Sequence, residues 1–128
     1  MPYKTTWEAR GILWEFYDDV SAQEIEDANN EFYVDERSDG AKYQIIDARN
    51  VKSVEWEERD IKVMAAYDIG ASNVIRRLKV AYITSDEEIT SKIEKYIDLS
   101  RQLSSNWEFQ GFNDLNSART WVSHGWGV

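Results

Sequence analysis

YQIIDARNVKSVEWEERDIKVMAAYD, residues 43–68, decides how the rest of the chain is read. It opens on a compact apolar run, Tyr43-Gln44-Ile45-Ile46, closed by Asp47. Residues 48–53 read as a polar connector, and beyond them Ile61, Met64, Ala65 and Ile69 recur at helical spacing. A short β-branched run bounded by polar residues predicts a buried strand, and the spacing after it predicts an amphipathic helix that stops near Gly70. Strand, loop, helix is half of a βαβ unit.

The flanking sequence repeats that alternation. Upstream, Tyr3, Thr5, Trp7 and Ala9 alternate with polar neighbours, and Ile12, Trp14 and Phe16 continue the period. Arg10-Gly11 between the two runs predicts a tight hairpin turn, with Gly11 accepting positive φ. Ser21-Ala22-Gln23-Glu24 has the form of a capping box, opening a helix with Ile25, Ala28 and Phe32 on one stripe. Ser38-Asp39-Gly40 closes it as a turn cluster. Downstream, Ala71-Ser72-Asn73 reads as loop and Leu78 to Thr84 as a strand buried on both faces. Ser85 or Asp86 caps a third helix with Glu87 and Glu88 in its first turn, where the helix dipole favours them. Its inward stripe is Ile89, Ile93, Tyr96, Ile97 and Leu103. Trp107-Glu108-Phe109-Gln110 is a last strand, and Asn113 caps a final helix with Leu115, Ala118 and Val122 inward. Residues 123–128 read as a frayed tail. The order is β-β-α-β-α-β-α-β-α: an α/β fold around a mixed, mainly parallel sheet.

A chain of 128 residues is read as one domain, with its core over about residues 3–122. Apolar content of 42% and charged content of 30% fit a soluble globular class. A formal net charge of -9 argues against nucleic acid, since phosphate backbones repel such a surface. The densest basic patch, Arg76-Arg77-Leu78-Lys79, is small. No apolar run reaches the ~20 residues of a membrane span, and the first residues lack the layout of a secretory signal. The expected compartment is the cytoplasm. Without cysteine and with one histidine, His124, transition-metal sites lack raw material.

Several stretches together resemble the STAS domain superfamily, closest to the small bacterial SpoIIAA-like (STAS/SEC14-like) group. They are the opening hairpin, the capped first helix, the IIDARNV strand, the VAYIT strand before an acidic capped helix, and the closing run Phe112-Asn113-Asp114-Leu115-Asn116-Ser117-Ala118-Arg119-Thr120-Trp121-Val122. The resemblance spans nearly the whole chain and rests on packing and capping signals, which specify a fold better than an activity. Anti-sigma-factor antagonists of this superfamily carry a D-S-S/T-G signature whose serine is phosphorylated at the start of the second helix. The corresponding positions here are Glu55-Trp56-Glu57-Glu58, without a hydroxyl. Glu57 either mimics a permanent phosphate or simply suits a helix N-terminus.

No catalytic set stands out. Ser53 and Ser72 lack a Gly-x-Ser-x-Gly elbow, and Gly40, Gly70 and Gly111 form no phosphate loop. Most carboxylates lie at helix starts or on polar faces. Asp47 is the exception, at the carboxyl end of the central strand, where open α/β sheets place ligands. Trp56, Ile61, Val63, Met64 and Tyr67 make the second helix more apolar than one buried stripe requires, which fits core packing, a homodimer face or a small apolar pocket. The candidate ligand- or partner-binding residues are therefore Asp47, Trp56, Glu57, Ile61, Met64 and Tyr67, with no catalytic or metal-binding residue and no cofactor. The expected function is a non-enzymatic regulatory or protein-interaction module, the expected partners being a second copy or another protein. The alternatives are a carrier of a small apolar ligand or lipid, since SEC14-like domains enclose lipid, and a carboxylate-based enzyme.

Overall fold

The computed structural model describes residues 3–72, 78–102 and 107–124, with side chains described except at 65, 67–72 and 100–102. Five strands form one sheet: β1 (Tyr3–Trp7), β2 (Gly11–Ser21), β3 (Tyr43–Glu55), β4 (Lys79–Ile83) and β5 (Glu108–Phe112). Among the described residues four α-helices accompany them: α1 (Ala22–Val34), α2 (Glu58–Ser72), α3 (Glu87–Gln102) and α4 (Leu115–Ser123), with a 3-10 turn at Glu36–Gly40. The sheet is therefore mixed, with β1 antiparallel to β2 and the remaining pairs parallel.

Its spatial order is β1-β2-β3-β4-β5, the order of the chain. Each crossover from β2 to β5 advances one place in the same direction. Right-handed crossovers then put α1, α2 and α3 on a single face. That face carries the larger core, with Trp14, Phe32, Val80, Ile93 and Phe109 among its buried residues. The other face is covered by α4, whose Ala118 and Val122 pack on Leu13, Ile45, Ala81 and Ile83. Helices thus cover both faces, three against one.

Local chemistry explains the elements. Ser21 and Glu24 form the expected capping box, the Glu24 backbone N–H donating to Ser21 Oγ at 3.3 Å and the Ser21 N–H to Glu24 Oε1 at 2.9 Å. Asp86 accepts from the backbone N–H of Glu88 (2.9 Å) and Ile89 (3.2 Å) at the entry to α3. The last helix is capped by Asp114, one residue beyond the expected Asn113, through the Ser117 N–H at 2.7 Å.

Residues 48–53, expected as a connector, belong to β3. Two register shifts against β2, after Glu15 and after Asp18, each add a residue to β3. The bulges make Ala48, Val51 and Val54 the buried positions, spaced by three rather than two. Strand alternation is erased by that spacing. Asp18 takes a left-handed backbone (φ 58°) beside the second bulge. Beyond the ends of β1 and β4, residues 17–21 and 50–55 of the two strands continue as a parallel two-stranded ribbon.

Gly11 is a strand residue whose backbone is not left-handed, so the turn reading gives the wrong reason for it. It lies opposite Tyr43, and a Cβ there would stand 2.5 Å from the Tyr43 ring. α2 runs through Gly70 and Ala71 to Ser72, past its expected end. His124, expected in a frayed tail, is the C-cap of α4, its N–H bonded to the Trp121 carbonyl at 3.3 Å. The buried Lys79 ammonium donates to the carbonyls of Trp121 (3.1 Å) and His124, tying that helix end to β4. Cations there complement the helix dipole. Arg76, Arg77, Asn73, Leu103 and residues 125–128 lie outside the described residues, as do the side chains of Ala65 and Ile69.

Candidate ligand cavity

Between the three-helix layer and the sheet, the core leaves a cavity of about 60 Å³. This is several times the ~10–15 Å³ that admits one water. β2 contributes Trp14 and Phe16, β3 Gln44, Ala48 and Val54, and β4 Val80 and Tyr82. The helices supply Ala28, Met64, Ile93 and Tyr96, and Trp56 closes the wall from the turn before α2. About 60 Å³ is under half of the ~150 Å³ of an engineered cavity that binds benzene, so the space as it stands suits a molecule of a few heavy atoms. An aromatic ring enters only as the wall yields, and a two-tailed lipid does not fit.

The described wall contains no carboxylate, histidine, lysine or arginine. Three of its residues carry a buried polar nitrogen that lacks a hydrogen-bond partner: Trp14 Nε1, Gln44 Nε2 and Trp56 Nε1. Trp14 and Gln44 are 2% and 3% exposed. Native cores leave few such groups, and an unmet buried donor costs about 1–3 kcal/mol. Three on one cavity wall are an uncommon concentration.

Two of the residues singled out from the sequence meet here, Trp56 and Met64. Ile61 is buried nearby and lines, with Trp56, a crevice between α2 and α3 that also carries Lys62, Lys92 and Asp98. Glu57 is exposed and its backbone N–H donates to Asp60 Oδ2 at 2.9 Å. The side chain of Tyr67 lies outside the described residues. Asp47 is on the opposite face of the sheet, sharing the side of Ile45 under strand alternation. Its oxygens accept from Arg49 Nε (3.0 Å), Nη2 (2.8 Å) and the Arg49 backbone N–H (3.1 Å). Burial pushes this carboxyl up, and the bonds from Arg49 outweigh it, holding it below its ordinary range.

Trp14 and Gln44 were not singled out from the sequence. Gln44 carried a legible signal, because an amide inside an otherwise apolar strand must find a partner or lack one. Trp14 carried none, since an inward tryptophan on a hairpin is ordinary core.

Among the described residues no group of three or more His, Asp or Glu side chains is placed to hold a metal, and no helix is long and apolar enough to cross a membrane. The architecture is similar to that of a crystal structure of an uncharacterised DUF3478-family protein with a SpoIIAA-like fold from Shewanella loihica PV-4. The match covers 94% of this chain and 91% of that one, at 12% identity and a TM-score of 0.54. The fold is SpoIIAA-like. No protein-family model matches the chain, and no curated protein does. At that identity the SpoIIAA-like neighbour informs architecture alone.

Proposed function

We propose that this SpoIIAA-like chain is a non-enzymatic regulatory module of the bacterial cytoplasm that takes a small apolar ligand between its sheet and helices α1–α3. The cavity carries the reading: it is apolar, buried and larger than packing requires. Of the apolar surplus around α2, Met64 lines this cavity and Ile61 is buried beside the α2–α3 crevice, while Val63 is exposed. An enzyme built on carboxylates would hold one of them at a raised pKa in a cleft. The displaced carboxylates found among the described residues, Glu8, Asp35, Asp47 and Asp114, all move down.

Thermal unfolding in the presence of toluene tests the reading. Saturation at a hundred times Kd stabilises by about 2.7 kcal/mol, so the melting temperature rises with toluene concentration. The Ala48→Leu variant, which fills part of the cavity, loses that response. No rise in the parent protein overturns the reading.

Protein docking, including a homodimer, is the second reading. One observation favours it: Glu55, Glu57 and Glu58 are exposed where β3 passes into α2, the place that corresponds to the phosphorylated segment of the resembling antagonists. Native mass spectrometry of the purified protein separates the two. A ligand-sized mass excess supports the carrier, and a bare dimer supports docking.

A further inference from the structure

We infer that the cavity is built for an uncharged apolar molecule bearing a hydrogen-bond acceptor of the carbonyl type, the unpartnered N–H groups available to it being those of the wall residues Trp14, Gln44 and Trp56. The inference rests on the proposed ligand-binding reading and adds the chemistry of the ligand. An indole nitrogen donates and never accepts, so two of the three unpartnered atoms admit only an acceptor. The amide of Gln44 donates through its nitrogen and accepts through its oxygen, and so adds a group that adjusts to the same ligand. A purely hydrocarbon ligand leaves all three unmet.

Charge narrows the class. A carboxylate inside this wall would be stripped of water with no cationic side chain to compensate it, since the described lining contains none. A ketone, lactone, ester or amide offers the same acceptor without that cost. The half-buried wall members are Ile25 and Asn29 of α1, Ile46 of β3, Trp56 of the turn before α2 and Tyr96 of α3.

Three probes of nearly equal shape test this: acetophenone, α-methylstyrene, which replaces its C=O with C=CH₂, and benzoate. Binding is followed by calorimetry and by the indole N–H signals in ¹H–¹⁵N spectra, assigned through Trp14→Phe and Trp56→Phe. The expected result is that acetophenone binds about tenfold more tightly than α-methylstyrene, the preference one or two neutral hydrogen bonds give. It moves the Trp14 and Trp56 indole N–H signals downfield, and benzoate binds more weakly than either. Gln44→Leu reduces the preference for acetophenone while making the unliganded protein more resistant to urea, because it removes a buried donor without a partner. This variant keeps the test open where Trp14→Phe fails to fold.

If α-methylstyrene binds as tightly as acetophenone, enclosed waters already satisfy the donors. The acceptor inference then falls and the apolar-ligand reading stands. If benzoate binds best, the ligand class is an anion and the inference falls. If none of the three binds, both readings fall.

Discussion

Glu8 holds three hydrogen bonds at once. Its Oε1 accepts from the Tyr43 hydroxyl at 2.6 Å and Arg119 Nη1 at 2.9 Å, and its Oε2 from Arg119 Nη2 at 2.7 Å. The Arg119 bonds hold this carboxyl below its ordinary range against the upward push of burial, with Tyr43 adding to the pull. Tyr43 is displaced the other way, raised to about 12 by burial and then by the Glu8 bond. The two shifts have opposite signs in stability. The depressed Glu8 contributes fully above the unfolded carboxylate value of about 4.3, and its contribution is lost as pH falls through the lower folded value. The raised Tyr43 contributes fully below about 10, and its contribution is lost as pH rises through the folded value. Glu8→Gln is expected to cost about 1–3 kcal/mol at neutral pH and to flatten the acid limb of stability measured by urea unfolding. An unchanged acid limb would show that the Glu8–Arg119–Tyr43 contact contributes nothing. None of this contact was legible in sequence, because 111 residues separate Glu8 from Arg119. Charge-pair readings reach only neighbours on one helix or strand.

Two glycines show how adjacent strands fit. Gly11 lies opposite Tyr43 across the β2–β3 pair, and Gly111 opposite Tyr82 across β4–β5. In each case the tyrosine ring occupies the place of a Cβ. At Gly11 an added carbon would also meet the Tyr43 carbonyl oxygen at 2.6 Å, whereas at Gly111 the nearest atoms all belong to the Tyr82 ring. A side chain can turn aside more readily than a backbone. Gly11→Ala is therefore expected to lose about 1–3 kcal/mol in urea unfolding and Gly111→Ala less than that. Equal losses would show that the Tyr82 ring is as fixed as the backbone. The capped helices α1 and α3 and the apolar β4 were legible because capping and burial patterns are local. The bulged half of β3 was not, since spacing by three imitates neither strand nor helix cleanly.

For the molecule as a whole, the cavity is where the fold departs from close packing. Val54 lines it, so Val54→Ile adds a methylene toward unfilled space. Burying that group is expected to stabilise by about 0.8 kcal/mol, read as a higher urea midpoint, whereas in a filled core the same change would destabilise. The sign of the shift decides whether the space is empty. The sequence pointed to Trp56 and Met64, which do line the cavity, through the apolar surplus around α2. Asp47 drew attention through its place on the strand, but a topological rule about strand ends does not say which face a side chain takes. The layering, three helices on one side and one on the other, follows from the strand order, which a list of elements does not contain.

That strand order has a consequence for how the protein is made. Every pair of neighbours in the sheet is a pair of neighbours in the chain, so each strand leaving the ribosome finds its partner already synthesised. The sheet can grow by addition at one edge, with α1, α2 and α3 laid over it in turn, and no strand has to be inserted between two others. Only α4 breaks the sequence, crossing to the bare face and bringing Arg119 back to Glu8 at the start of the chain. Addition can run vectorially until that step, with α4 as the latch.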